Sequence, residues 1–126
     1  MHLKSALTLA SEDVIIHGPE PAHAAIAAFV QEKLSDLRGG AAAAGELAAA
    51  RWDDIKTVRV GEMAGANVVL CNGAVLCRSR KECPKAFAEL DRMRSAGWIE
   101  ELIEVEASEV EKIDGALSCC SVLIWN

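Results

Sequence analysis

Short apolar runs alternate with longer amphipathic stretches along this chain, and the order of the two recurs. Residues 3–9 and 13–16 read as two strands, joined by the polar turn ASE at residues 10–12. The next stretch, GPEPAHAAIAAFVQEKLSDLRGG, predicts a helix. Pro21 suits its first turn, Ile26, Phe29, Val30, Leu34 and Leu37 recur at helical spacing, and Gly39 and Gly40 are the expected stop. Residues 56–60 (KTVRV) then read as a strand. The same order follows a second time. Residues 68–77 form a hairpin with Asn72-Gly73 at its tip, the strongest short turn signal there is. ECPKAFAELDRMRSAG is a helix that starts at Pro84 and ends at Gly97, with a narrow apolar stripe of Phe87, Leu90 and Met93. Residues 99–105 close the unit as a strand. A third unit begins with ASEVEKI and ends in an expected strand at 118–125.

The organisation is therefore strand–strand–helix–strand, twice, with part of a third unit. The repeat is one of element order, because the units share little sequence. Both faces of the 68–77 hairpin are apolar, which predicts cover on both sides. The Ala-rich stretch at 39–53 interrupts the first unit and carries no evident chemistry. The whole chain, 1–126, reads as one domain.

Composition narrows the function classes. Apolar residues make up 52% of 126 positions, enough for a real core, and aromatics only 4%, so that core is built from Val, Leu, Ile and Ala. The net charge of −6 argues against nucleic-acid binding, which needs clustered Lys and Arg. Residues 100–114 hold seven carboxylates and a single base, Lys112. No apolar run approaches the length of a membrane span and no signal-peptide pattern opens the chain, so a soluble, cytoplasmic protein without a membrane partner is expected. In that compartment the five cysteines default to free thiols.

The cysteines separate into two groups. Cys71, Cys77 and Cys83 have the spacing C-x5-C-x5-C, which suggests a metal site. The two-residue turn opposes this, because it pairs Cys71 with Ala74 and leaves Cys71 and Cys77 on opposite faces. They read as small core hydrophobes. Cys119 and Cys120 are adjacent, too close for a zinc knuckle. On a strand they would also face opposite ways, so only one could enter a given site. Taken alone, they too would be core thiols. His17 and His23 lie in no motif and read as surface residues, and His2 as a solvated residue near the start of the chain.

Two motifs change that picture. HLKSALTL at 2–9 and EVEKIDGALSCCSVLI at 109–124 resemble dimethylarginine dimethylaminohydrolases, members of the guanidine-modifying enzymes. GANVVL and ECPKAFAELDRM between them also resemble the C-terminal half of that family. The likeness covers nearly the whole chain outside the Ala-rich stretch. Lys4-Ser5 after His2-Leu3 favours the dimethylarginine enzymes, since deiminases and amidinotransferases usually carry Asp there.

The resemblance implies an α+β fold, a pseudo-fivefold α/β propeller of strand–strand–helix–strand modules, with only about half of it present here. It implies hydrolysis of Nω-methylated L-arginine to citrulline and dimethylamine without a cofactor. Cys119 matches the nucleophile and His2 the general acid/base; the carbonyl of Ile113, just before Asp114-Gly115, matches the group that holds the substrate's α-amino group. Asp114 reads as a local structural carboxylate rather than a catalyst. No resident metal is implied, although a poised Cys119 thiolate could take an inhibitory zinc. The family's N-terminal half supplies the carboxylates that bind the guanidinium, the arginines that bind the substrate carboxylate and the acid that orients the histidine. That half, or a second chain, is the expected partner, and exposed blade edges favour self-association. Two other readings stay open: an inactive binding or regulatory half-domain with a zinc- or oxidant-sensitive thiol, and a related arginine deiminase or amidinotransferase.

Overall fold

The computed structural model describes residues 6–41 and 55–121. His2, most of the Ala-rich stretch and residues 122–125 of the expected last strand lie outside them. The fold mixes helices and strands in two small three-stranded sheets. In the first, β1 (Leu7–Ser11) pairs antiparallel with β2 (Val14–His17), and β2 pairs parallel with β3 (Lys56–Arg59). Helix α1 (Pro21–Ala41) makes the crossover that a parallel pair requires. The second sheet repeats the plan: β4 (Val69–Cys71) is antiparallel to β5 (Ala74–Arg78), which is parallel to β6 (Glu101–Val105), with helix α2 (Pro84–Ser95) between them. Thus the recurring element order of the sequence is also a recurring pairing pattern. A short helix, α3 (Ser108–Glu111), and a 3-10 turn at Leu117–Cys120 follow β6.

The hairpin β4–β5 turns where Asn72-Gly73 places it, with both residues at positive φ (51° and 80°) and Cys71 opposite Ala74. The first hairpin turns one step later than ASE suggests, at Glu12-Asp13. A bulge between Leu9 and Ser11 absorbs the extra residue and lets Ala10 point into the core. Ser11 Oγ donates to Asp13 Oδ1 at 2.7 Å. That bond, with the Lys56 ammonium, holds the Asp13 carboxyl below the usual carboxylate range.

Three expectations for α1 and the end of β2 are corrected. The helix runs through Gly39 and Gly40 to Ala41, since each Gly inside a helix costs only about 1 kcal/mol. Phe29 is exposed, with the Lys33 ammonium 5.7 Å from its ring, while the buried face carries His23 and Ala27. His17 and His23 are both buried rather than on the surface. His17 Nδ1 lies 2.9 Å from the Gly18 carbonyl and so carries the donated proton. A Cβ on Gly18 would meet His23 Nδ1 at 2.5 Å, so the glycine makes room for the buried ring.

One continuous core joins the two sheets. Val14, Ile16 and Val60 from the first unit pack with Val68, Val75, Cys77, Leu90, Met93 and Ile99 from the second. Helix α2 has no local side-chain cap. Instead Glu62, 23 and 24 residues earlier, accepts from the Lys85 and Ala86 backbone N–H groups, the first free donors of the helix. At its other end Trp98 N donates to Met93 O and Gly97 N to Arg94 O, with Gly97 at φ 77°, a Schellman closure.

The 3-10 turn Ala64–Ala66 packs on α2 so closely that a Cβ on Gly65 would collide with the Ala86 methyl. Gly65→Ala is therefore expected to destabilise the fold by about 1–3 kcal/mol through overpacking. Urea unfolding of Gly65→Ala, Ala86→Gly and the double variant should show non-additive losses, with Ala86→Gly relieving part of the first. Strict additivity would contradict this contact.

Candidate functional site

The segment that carries the candidate nucleophile, residues 107–121, is held by side chains from far away in the sequence. At its start, both carboxylate oxygens of Glu82 lie 3.1 Å from the Ala107 backbone nitrogen, which donates to them. Next, Arg78 at the end of β5 donates through Nη1 to Glu111 Oε2 at 2.8 Å. The Arg78 side chain is only 5% exposed, so this contact anchors α3 to a buried charge. At its end, the side-chain amide of Asn67 accepts from Ser118 N at 2.9 Å and donates to Ser118 Oγ at 2.8 Å. Asn67 is buried, and a buried amide must be satisfied.

Between these anchors the chain makes two turns. α3 closes with Gly115 N donating to Val110 O and Asp114 N to Glu111 O, and Asp114 sits at φ 60°. This is a Schellman closure with Asp in the position Gly usually takes. Asp114 thus takes part in the turn through its backbone. Gly115 follows because a Cβ there would reach Val110 Cγ1 at 2.6 Å. Ile113 is highly exposed, and its carbonyl lies outside the closure, where the Val110 and Glu111 carbonyls take the turn's donors.

The second turn holds both cysteines. Cys119 N and Cys120 N donate to the Ala116 carbonyl at 3.0 and 3.3 Å. The expected strand at 118–125 is corrected here: residues 117–120 form a 3-10 turn, and Ser121 is the first extended residue. At three residues per turn, adjacent side chains diverge by about 120° rather than pointing to opposite faces. Both Cys119 and Cys120 are exposed, so Cys120 is not packed behind Cys119.

The two sequence motifs meet at one junction. Thr8, in the first motif, donates through Oγ1 to Ala66 O at 2.6 Å and accepts from Val68 N at 3.3 Å. Asn67, between those two residues, holds Ser118 in the second motif. Residues 66–68 therefore link β1 to the cysteine turn. His2 lies outside the described residues. Asn67 and Arg78 escape a reading of the sequence, because their partners lie 51 and 33 residues away. Their only local signal is polarity beside wholly apolar strand residues, where a polar side chain needs a partner.

The remaining cysteines behave as structural thiols or solvent-facing ones. Burial, with smaller effects of Glu104 and Cys83, pushes the Cys77 thiol up to about 11, and burial also raises that of Cys83. Cys71 is exposed on the opposite face of the hairpin. Among the described residues no three of His, Cys, Asp and Glu converge as metal ligands. No helix among them is long and apolar enough to cross a membrane.

Two measurements check this arrangement. A thiol reagent at pH 8 should modify Cys71, Cys119 and Cys120 in the native protein, and Cys77 and Cys83 only in denaturant; rapid reaction of all five would contradict it. Asn67→Ala should cost about 1–3 kcal/mol in urea unfolding, more than Ser118→Ala, which removes one hydroxyl and leaves the backbone bond. An Asn67→Ala cost no greater than that of Ser118→Ala would contradict the anchoring role. No protein-family model matches the chain, and no curated protein matches it.

Proposed function

We propose that the chain is the C-terminal, catalytic half of a dimethylarginine hydrolase-like propeller, with Cys119 as nucleophile and His2 as general acid/base. One observation carries this reading: residues of the two motifs, Thr8 and Ser118, are stitched together through residues 66–68, and the thiol that follows Ser118 is exposed on an anchored turn. The repeated strand–strand–helix–strand pairing suits a module of such a propeller. Leu9, Ile103 and Ile113 are exposed apolar residues, as expected of modules that pack against further modules.

In the proposed reaction the Cys119 thiolate attacks the guanidinium carbon of Nω,Nω-dimethyl-L-arginine. The C–N bond to the methylated nitrogen breaks, and dimethylamine leaves with a proton from His2. Neutral His2 then takes a proton from water, whose oxygen attacks the thiouronium carbon. The C–S bond breaks, the hydroxyl proton passes to solvent, and citrulline and the thiolate are released. The Ile113 carbonyl accepts a hydrogen bond from the substrate's α-amino group. A guanidinium buried without carboxylates would be an uncompensated charge, so the N-terminal half, or a second chain, completes the site.

The isolated chain should release no citrulline from dimethylarginine; ordinary turnover would refute the half-site reading. After treatment with 2-chloroacetamidine, mass spectrometry should find the adduct on Cys119 and not on Cys120. Equal labelling, or preference for Cys120, would contradict the assignment of the nucleophile.

A further inference from the structure

Cys119 and Cys120 are neighbours in the chain, both exposed and both within one 3-10 turn. On the strand expected there, adjacent side chains would point to opposite faces and the two sulfurs could not meet. The 3-10 turn removes that obstacle, because at three residues per turn the side chains diverge by only about 120°. The turn is also easily opened. Its two bonds share one acceptor, the Ala116 carbonyl, and the bond from Cys120 N is the longer of them at 3.3 Å. No other thiol among the described residues competes. Cys77 and Cys83 are buried, and Cys71 lies at the far end of β4 from Asn67, the residue that holds Ser118.

We propose that hydrogen peroxide joins Cys119 and Cys120 in a vicinal disulfide, which locks the nucleophile reversibly. The role as a lock rests on the assignment of Cys119 above; the bond itself does not. One thiolate attacks a peroxide oxygen, the O–O bond breaks, and hydroxide leaves and is protonated, giving a sulfenic acid. The neighbouring thiolate attacks that sulfur. The S–S bond forms, the S–O bond breaks, and a second hydroxide leaves and is protonated. Two thiols lose two electrons in total, and one peroxide becomes two waters.

Adjacent Cα atoms stand about 3.8 Å apart, closer than most disulfides span, so the ring is strained and readily reduced. Closing it takes the backbone between the cysteines out of 3-10 geometry and breaks the bond from Cys120 N. The two bonds between Asn67 and Ser118 lie before the ring and persist, so the anchored part of the turn keeps its place.

The test is mass spectrometry of the full chain after hydrogen peroxide, alkylation in denaturant and trypsin. Cleavage after Lys112 isolates residues 113–126, which hold these two cysteines and no other. That peptide should escape alkylation, weigh two hydrogens less than the dithiol, and take two alkyl groups after dithiothreitol. Native labelling of Cys119 by 2-chloroacetamidine should be lost with the bridge and return on reduction. In Cys120→Ser the same peroxide treatment should leave Cys119 as a sulfinic acid that dithiothreitol does not restore, whereas Cys71→Ser should behave as wild type. The bridge is read without substrate, so its failure is distinct from failure of the hydrolase reading. A wild-type peptide that still takes two alkyl groups after peroxide, a sulfinic acid on Cys119 beside a free Cys120, or a disulfide from either residue to Cys71 of a second copy would overturn the proposal.

Discussion

The Asn67 side-chain amide is the contact on which the candidate site depends. It holds both the backbone N–H and the hydroxyl of Ser118 while buried between two residues that Thr8 engages from β1. Each such bond adds only about 1 kcal/mol net, but a buried amide left without partners costs more than that. The geometry is therefore strongly preferred once Asn67 is buried, and Asn67 is buried because β4 must enter the core directly after it. Burial of an apolar hairpin in this way fixes the place of an exposed thiol.

The same device recurs in other parts of the fold. Glu62 caps α2, Glu82 holds the chain entering α3, and Arg78 holds α3 itself. In each case a side chain at the end of one element satisfies a donor or a charge on an element that comes later. The two units thus interlock through specific polar contacts as well as through their shared apolar core. The short segment bearing Ile113, Asp114, Cys119 and Cys120 has no sheet of its own among the described residues. Its order comes from three anchors, Glu82, Arg78 and Asn67, each made with the body of the second unit.

Local chemistry was legible wherever a residue dictates its own backbone. Asn72-Gly73 set the register of the second hairpin, Pro21 and Pro84 marked helix starts, and Gly97 marked a helix end. Where several residues compete, the sequence misled. Gly39-Gly40 did not stop the helix, since a helical glycine costs only about 1 kcal/mol and the helix continues to Ala41. His17 and His23 looked polar but fill core space, one bonded to a carbonyl and the other fitted against Gly18. The apolar run after Cys120 suggested a strand that begins too early, because the Ala116 carbonyl captures the next two N–H groups in a 3-10 turn. Asn67 and Arg78 could not be found, since their roles exist only once residues distant in sequence are adjacent. The residue roles of Cys119, His2 and Ile113 rest on the resemblance, to which the structure adds a junction between the two motif segments and an accessible thiol.

The central claim is that residues 66–68 bind β1 and the cysteine turn into one cooperative unit. Native-state hydrogen exchange at the Val68 and Ser118 amides tests it most directly, since one donates to Thr8 and the other to Asn67. Both amides should open with the same free energy, close to that of the core amide of Val75. Exchange of Ser118 at the rate of an unprotected amide while Val75 remains protected would contradict the account.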